Sequence, residues 1–275
     1  MLAVNTAAPP AGAQFAYPFA RNVRPALQMP ALNYGRTLAR KLILSCFNSP
    51  SEVADVPYDL VTGTKGSTSA TILAGNDAQF GITAKFASAS STYRAIPLDL
   101  SPYNTVTISA WFWWDAFAND NKLLGEYTSN VNTHNGAFNI APNNASTTAF
   151  AIFISATAGA DFCTVKSSRP TAAGWHHFAV TMARTGSASV GTVFPNGLVI
   201  DGIKSVSGTN SANPVSGNFA GPDTLHFMSR NNASQFADGR LKYFNIFRGQ
   251  LSNSDILTLY SHPSYLLMPG PSWSI

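Results

Sequence analysis

The chain reads as an all-β protein: a two-sheet antiparallel sandwich with one short C-terminal helix and extended arms at both ends. Three observations carry that reading. Apolar residues recur at period two in short runs bounded by Gly, Asn and Ser, which is the pattern of strands that bury one face. The runs return at the spacing of sandwich strands, with turn signals between them. Only one segment shows both a cap and the periodicity of a helix.

Taken in order, residues 1–31 contain nine Ala and five Pro, at positions 9, 10, 18, 25 and 30. Proline removes a backbone donor and fixes φ, so neither a regular helix nor a central strand fits there. An extended arm is expected. Within it Phe15, Tyr17 and Phe19 alternate just before Arg21 and Arg24, an apolar strip with cationic ends. Such a strip is expected to lie on a surface, that of its own body or of a neighbouring subunit.

From about residue 32 the chain reads as strands. Val106–Trp114 alternates β-branched and aromatic residues and ends with large groups on both faces, as a buried strand does. Further strands are expected at Ala149–Ile154, Trp175–Met182, Leu225–Met228 and Leu241–Phe247. Leu198–Ile200 and Ile203–Val206 flank Asp201-Gly202, the two-residue signal for a type I′ hairpin. The helix is expected after Ser252, which can cap it with Asp255 three residues on, and Ile256, Leu257, Leu259 and Tyr260 form its apolar side. His262-Pro263 stops it. Turn signals recur evenly, so 32–262 is expected to be one domain, with 263–275 a tail.

Composition narrows the function. Asp, Glu, Lys and Arg make up 11% of the chain, against roughly 25% in an average soluble protein. Polarity comes instead from 29 Ser, 22 Asn and 23 Thr. With 45% apolar residues the chain folds rather than staying disordered, and no apolar run approaches the ~18 residues of a spanning helix. The start, MLAVNTAAPPAGAQ, has neither a basic nor a continuous apolar region, so no secretory signal is read and Cys46 and Cys163 are expected to be free thiols. The net charge of +4 suggests nucleic acid until it is placed. Arg21, Arg24, Arg36, Arg40 and Lys41 precede the first acid, Glu52, and the remaining 12 basic and 13 acidic residues leave the body at −1. No basic face interleaved with aromatics exists beyond residue 51, so neither nucleic acid nor membrane is an expected partner.

Four blocks carry a family resemblance: Val106-Thr-Ile-Ser-Ala-Trp111, Gly174-Trp-His-His-Phe-Ala-Val-Thr181, Val199-Ile-Asp-Gly202, and Phe236-Ala-Asp-Gly-Arg-Leu-Lys-Tyr-Phe-Asn-Ile-Phe247 with Leu251-Ser and Leu259-Tyr260. In this order they resemble the laminin-G-like jelly roll of the concanavalin A-like lectin and glucanase superfamily, over roughly 33–262. The flanks Leu32-Asn-Tyr-Gly-Arg-Thr-Leu-Ala-Arg-Lys-Leu and His262-Pro-Ser-Tyr-Leu-Leu are similar to those of tailed-phage structural proteins that carry this domain. The sequence departs from the family at Lys242, where an acidic residue is common, and in a long Gly, Ser and Ala-rich span before Leu198.

Enzymatic members of that superfamily use two carboxylates about 5 Å apart, on a strand typically as Glu-x-Asp-x-x-Glu. The two Glu present, Glu52 and Glu126, stand in no such motif, and nucleophile, zinc and phosphate-loop signatures are absent. No catalytic residues are expected. His176 and His177 adjoin on a strand, point to opposite faces and cannot grip one metal together; one is expected packed and one exposed. Calcium is the cofactor the resemblance allows, through loop residues Asp120, Asp201, Asp223 and Asp238, but the turns explain Asp201 and Asp238, and no cofactor or metal ligand is assigned. Trp111 and Trp113 share one strand face and could stack on a glycan or a partner.

The resemblance and the arms together imply a non-enzymatic virion protein: a capsid decoration or cement protein, homo-oligomeric, bound to the major capsid protein or other virion proteins. The residues expected to grip are Phe15, Tyr17, Phe19, Arg21, Arg24, Tyr265 and Trp273. The alternative is a carbohydrate-binding adhesin on a head fibre or tail that recognises a host glycan.

Overall fold

The computed structural model describes residues 31–47, 57–69, 72–114, 123–128, 131, 134–144, 149–155, 162–184, 197–204, 217–231 and 233–267. Phe15, Tyr17, Phe19, Arg21, Arg24 and Trp273 lie outside them, as do Asp120 and the span before Leu198 from residue 185 to 196.

The described residues form fifteen strands in two antiparallel sheets. The larger sheet runs β13 (Ile203–Lys204), β12 (Leu198–Ile200), β11 (Gly174–Ala183), β6 (Thr105–Trp114), β15 (Gly239–Arg248), β4 (Gly81–Phe86), β3 (Leu73–Asp77), with β1 (Leu42–Cys46) also paired to β15. The smaller runs β10 (Phe162–Ser167), β9 (Ala149–Ser155), β8 (Phe138–Asn144), β7 (Gly125–Tyr127), β14 (Asp223–Phe227), β5 (Arg94–Leu98), β2 (Ser67–Thr68). This is the expected sandwich, and neighbours distant in sequence, such as β6 beside β15, mark the jelly-roll crossovers.

Strand parity decides what each face does. In β6 the side chains of Val106, Ile108, Ala110 and Phe112 enter the core between the sheets, where they meet Phe178, Val180 and Met182 of β11 and Phe138, Phe150 and Ile152 of the opposite sheet. Each such large apolar side chain contributes ~1.5–3 kcal/mol on burial, so this layer dominates stability. Cys46 lies in the same core, while the Cys163 side chain is outside the described ones.

The odd positions of β6 face outward, and helix α1 (Asn253–Ser261) packs on that side, its Tyr260 stacked on Trp111. Its start is the expected capping box: the Asp255 amide donates to Ser252 Oγ (3.1 Å) and the Ser252 amide to Asp255 Oδ2 (3.2 Å). Ile256 and Leu259 are buried with Leu38, Leu42, Val199 and Phe247, but Leu257, expected on the apolar side, is 46% exposed beside the Asp201-Gly202 turn. Residues 263–267, expected as tail, pack on the body: Leu266 is buried in the same cluster, and Leu32 forms a bridge to Leu267.

Candidate binding surface

Two outward faces carry the chemistry. On the larger sheet, β11 sets Trp175 opposite Trp113 and His177 opposite Trp111 of β6. Trp111 is only 6% exposed, its ring stacked on Tyr260 of α1 at 5.7 Å and met edge-on by Phe80 at 5.2 Å. A ring sealed between a helix and a loop offers no face to a ligand, so of the two tryptophans able to stack from sequence, only Trp113 reaches the surface. Trp113 is half-buried, meets Trp175 edge-on at 5.9 Å and lies under the Arg240 guanidinium at 5.1 Å.

Asp77, at the end of β3, organises this corner. Its Oδ1 accepts the amides of Gln79 and Phe80 (2.8 and 2.9 Å), and its Oδ2 accepts Trp175 Nε1 (2.7 Å) and Arg240 Nη1 (2.9 Å). One carboxylate thus ties a loop, an indole and a guanidinium together. Sequence reasoning did not single out Asp77 or Arg240, since β3 and β15 meet only through the sheet; Trp175 could have been found from its period-two place opposite Trp113.

Lys242, the departure from the family pattern, is buried on this face. A bulge puts it there: the register of β15 against β6 shifts between Lys242 and Asn245, and Tyr243 takes φ 51°. The extra residue sends both Lys242 and Tyr243 outward. Lys242 Nζ donates to the Phe80 carbonyl (2.7 Å) and sits 4.5 Å from the Phe47 ring centroid, so the cation closes the loop over the sheet.

On the smaller sheet a polar row crosses three strands: His226, Glu126 and Asn139 are paired in register and all nearly inaccessible. Glu126 Oε1 accepts the Val131 amide (3.0 Å), and Arg230 Nε approaches both carboxylate oxygens (3.2 and 3.3 Å). Burial pushes its carboxyl up to about 7, against the opposing pull of Val131 and Arg230. Its cross-strand neighbours are a histidine and an asparagine, not a second acid, and glycosidase chemistry needs that second carboxylate.

The histidine pair does sit on opposite strand faces, but neither ring is open. His177 is fully buried, 2.8 Å from Ser109 Oγ, and burial lowers its pKa to about 3. His176 bonds Asp201 Oδ2 through Nδ1 (2.6 Å), while Asp201 Oδ1 accepts the His177 amide (2.8 Å). Asp238 is likewise taken up by the Ser88 amide and hydroxyl (2.8 and 2.7 Å), and Asp223 Oδ1 by the Thr224 amide (2.7 Å). Among the described residues no three His, Cys, Asp or Glu side chains converge.

Tyr265, expected as a partner contact, lies where the flanks meet. The Asn33 amide donates to the Leu266 carbonyl (2.8 Å), and the Arg36 guanidinium covers the Tyr265 ring at 4.5 Å.

Comparison with known proteins agrees with this architecture. The binding domain of botulinum neurotoxin DC in complex with SialylT superposes with a TM-score of 0.55 at 15% identity, over 83% of this chain and 53% of that one. The binding domain of Paraclostridial Mosquitocidal Protein 1 gives 0.57 at 16%, over 82% and 52%. A botulinum neurotoxin type C structure, whose cell entry is described as dependent on two ganglioside molecules, gives 0.55 at 17%, over 83% and 52%. The chain spans about half the length of these structures, and the likeness is one of fold. None of the curated proteins compared with it matches the sequence. A laminin G family model described as the concanavalin A-like lectin/glucanases superfamily matches residues 88–257, more than half of the chain, and the chain belongs to that superfamily.

Proposed function

We propose that the chain is a non-enzymatic structural protein of a phage particle, a capsid decoration or cement protein that attaches through the flanks of its jelly-roll body. The observation that carries this reading is the union of the flanks. Leu32 and Leu266 are buried in one cluster, and Leu32 is bridged to Leu267. Residues 1–31 and 268–275 therefore start from one point on the body, where a partner held by one is within reach of the other, and linked weak contacts act at high effective concentration. Repetition around a symmetric shell multiplies them. Residues 52–275 carry a net −1, so the body away from its N-terminal edge suits broad contact with little charge desolvation. Support against catalysis comes from Glu126, whose carboxylate is committed to Val131 and Arg230.

Particles assembled with a chain lacking residues 1–31 test this reading. Occupancy, measured by quantitative mass spectrometry of purified particles, is expected to collapse while the isolated body keeps its circular dichroism spectrum. Unchanged occupancy sinks the attachment role.

A second reading, glycan recognition, is favoured by Trp113: a partly exposed indole beside Trp175 and a guanidinium fixed by Asp77 is a platform for stacking a sugar ring. Two of the fold neighbours are described with SialylT or gangliosides. On a glycan array W113A is expected to lose at least tenfold in affinity for any sugar the chain retains, about 1.4 kcal/mol. Retained binding by W113A removes Trp113 from this role.

A further inference from the structure

We infer that Tyr34, Arg36, Arg40, Lys41 and Tyr265, at the junction of the flanks, form a docking surface for an acidic face of a protein partner. The inference rests on the attachment reading and gives it a place on the body and a chemistry. In a chain with 11% charged residues, three cations fall within six positions, and residues 1–51 contain no acid. Arg36, Arg40 and Tyr34 are exposed, Tyr34 by 48%, and Lys41 is half-buried.

The patch is built rather than loose. Asn33 closes the turn beneath it, its side chain accepting the Gly35 amide (3.1 Å) and its carbonyl the Arg36 amide (2.9 Å). Arg40 Nε donates to the Tyr34 carbonyl (2.8 Å), and Leu38 and Ala39 are anchored in the cluster under α1. The Arg36 guanidinium carbon lies 4.5 Å from the centroid of the Tyr265 ring, a cation–π contact that holds it at the surface, and its planar fork of donors suits a carboxylate. Among the described residues the acid recorded against these cations is Asp255, 3.9 Å from Lys41 and partly exposed, a spacing at which an ion pair contributes little. The fixed cations have already lost side-chain freedom, so pairing with a carboxylate costs less ordering entropy than pairing with a mobile lysine. Two tyrosines, one of them already in contact with Arg36, are fewer rings than a single-stranded nucleic acid uses to stack successive bases.

The test compares the full chain with R36A/R40A, in which Lys41 and its Asp255 contact remain, and with Y265F, which keeps the stacked ring. Poly-L-glutamate is the probe, with heparin, phosphatidylserine vesicles and duplex DNA as alternatives. R36A/R40A is expected to weaken poly-L-glutamate binding about tenfold at low salt, and raising ionic strength to about 0.15 M is expected to weaken the unaltered chain similarly. Y265F is expected to bind as the unaltered chain does, and all three chains to melt at the same temperature. Equal affinity for R36A/R40A overturns the proposal, as does preference for heparin, vesicles or DNA over poly-L-glutamate. Particle occupancy separates this from the attachment reading. If deletion of 1–31 leaves occupancy intact, attachment fails; if that deletion lowers occupancy and R36A/R40A does not, the patch alone fails.

Discussion

Buried ionisable residues are where this fold departs most from its polar, weakly charged surface, and they give its stability a predictable pH dependence. Glu126 titrates near 7 because burial penalises its charged form. Its folded pKa is above the ordinary value of 4.5, so the folded state holds the proton that the unfolded chain has lost, and its contribution falls as pH rises from 4.5 to about 7. His177 acts oppositely. Burial lowers it from 6.5 to about 3, so its contribution grows as pH rises through that window and is complete above 6.5. Between 4.5 and 6.5 the two slopes oppose each other. For His176, burial pulls the pKa down but the Asp201 hydrogen bond and charge outweigh it, so it is raised and its contribution is lost above that pKa. Above pH 6.5, then, stability is expected to decline, with Glu126 supplying roughly 1 kcal/mol of the fall between pH 6.5 and 8. Urea unfolding of E126Q should lose the Glu126 part of this decline and keep that of His176; an unaltered slope in E126Q would show that Glu126 titrates normally.

At the scale of elements, what could be read from sequence was what is local. The helix was legible because its capping box is written within four residues, and the β12–β13 hairpin because Asp201 and Gly202 both adopt positive φ, at 50° and 76°. The long central strands β6, β11 and β15 carry enough period-two repeats to identify them. Strands as short as β7, with three residues, and β2, with two, carry no periodicity and exist only because neighbours pair with them. The bulge at Tyr243 is a failure of another kind. Period-two reasoning places Lys242 and Tyr243 on opposite faces, whereas the inserted residue sends both outward and makes a buried lysine part of an aromatic layer. Trp111 was legible as outward-facing, but its burial was not, because the cover is Tyr260, distant in sequence and delivered by α1. Likewise the Asp77–Arg240 pair joins residues 163 positions apart.

For the whole molecule, the sandwich is closed on one side by the layer of α1, the turn at residues 33–41 and residues 262–267, and attachment through the flanks requires that layer to belong to the folded body rather than to the arms. Leu266 tests this. It is 3% exposed, in a cluster with Leu32, Leu38, Leu42, Leu251 and Leu259. Truncating a leucine at such a site removes its transfer free energy and leaves a cavity, so L266A is expected to cost about 2–4 kcal/mol in chemical unfolding. Deletion of residues 1–31 spares Leu32 and every other member of that cluster, and is expected to change the unfolding free energy by less than about 0.5 kcal/mol, the size of a surface change. The contrast is what matters. If L266A is neutral, the C-terminal flank is a loose tail and the common origin of the two arms is lost. If deletion of 1–31 destabilises as much as L266A does, the N-terminal arm is part of the core layer, and its loss from a particle would report unfolding rather than detachment.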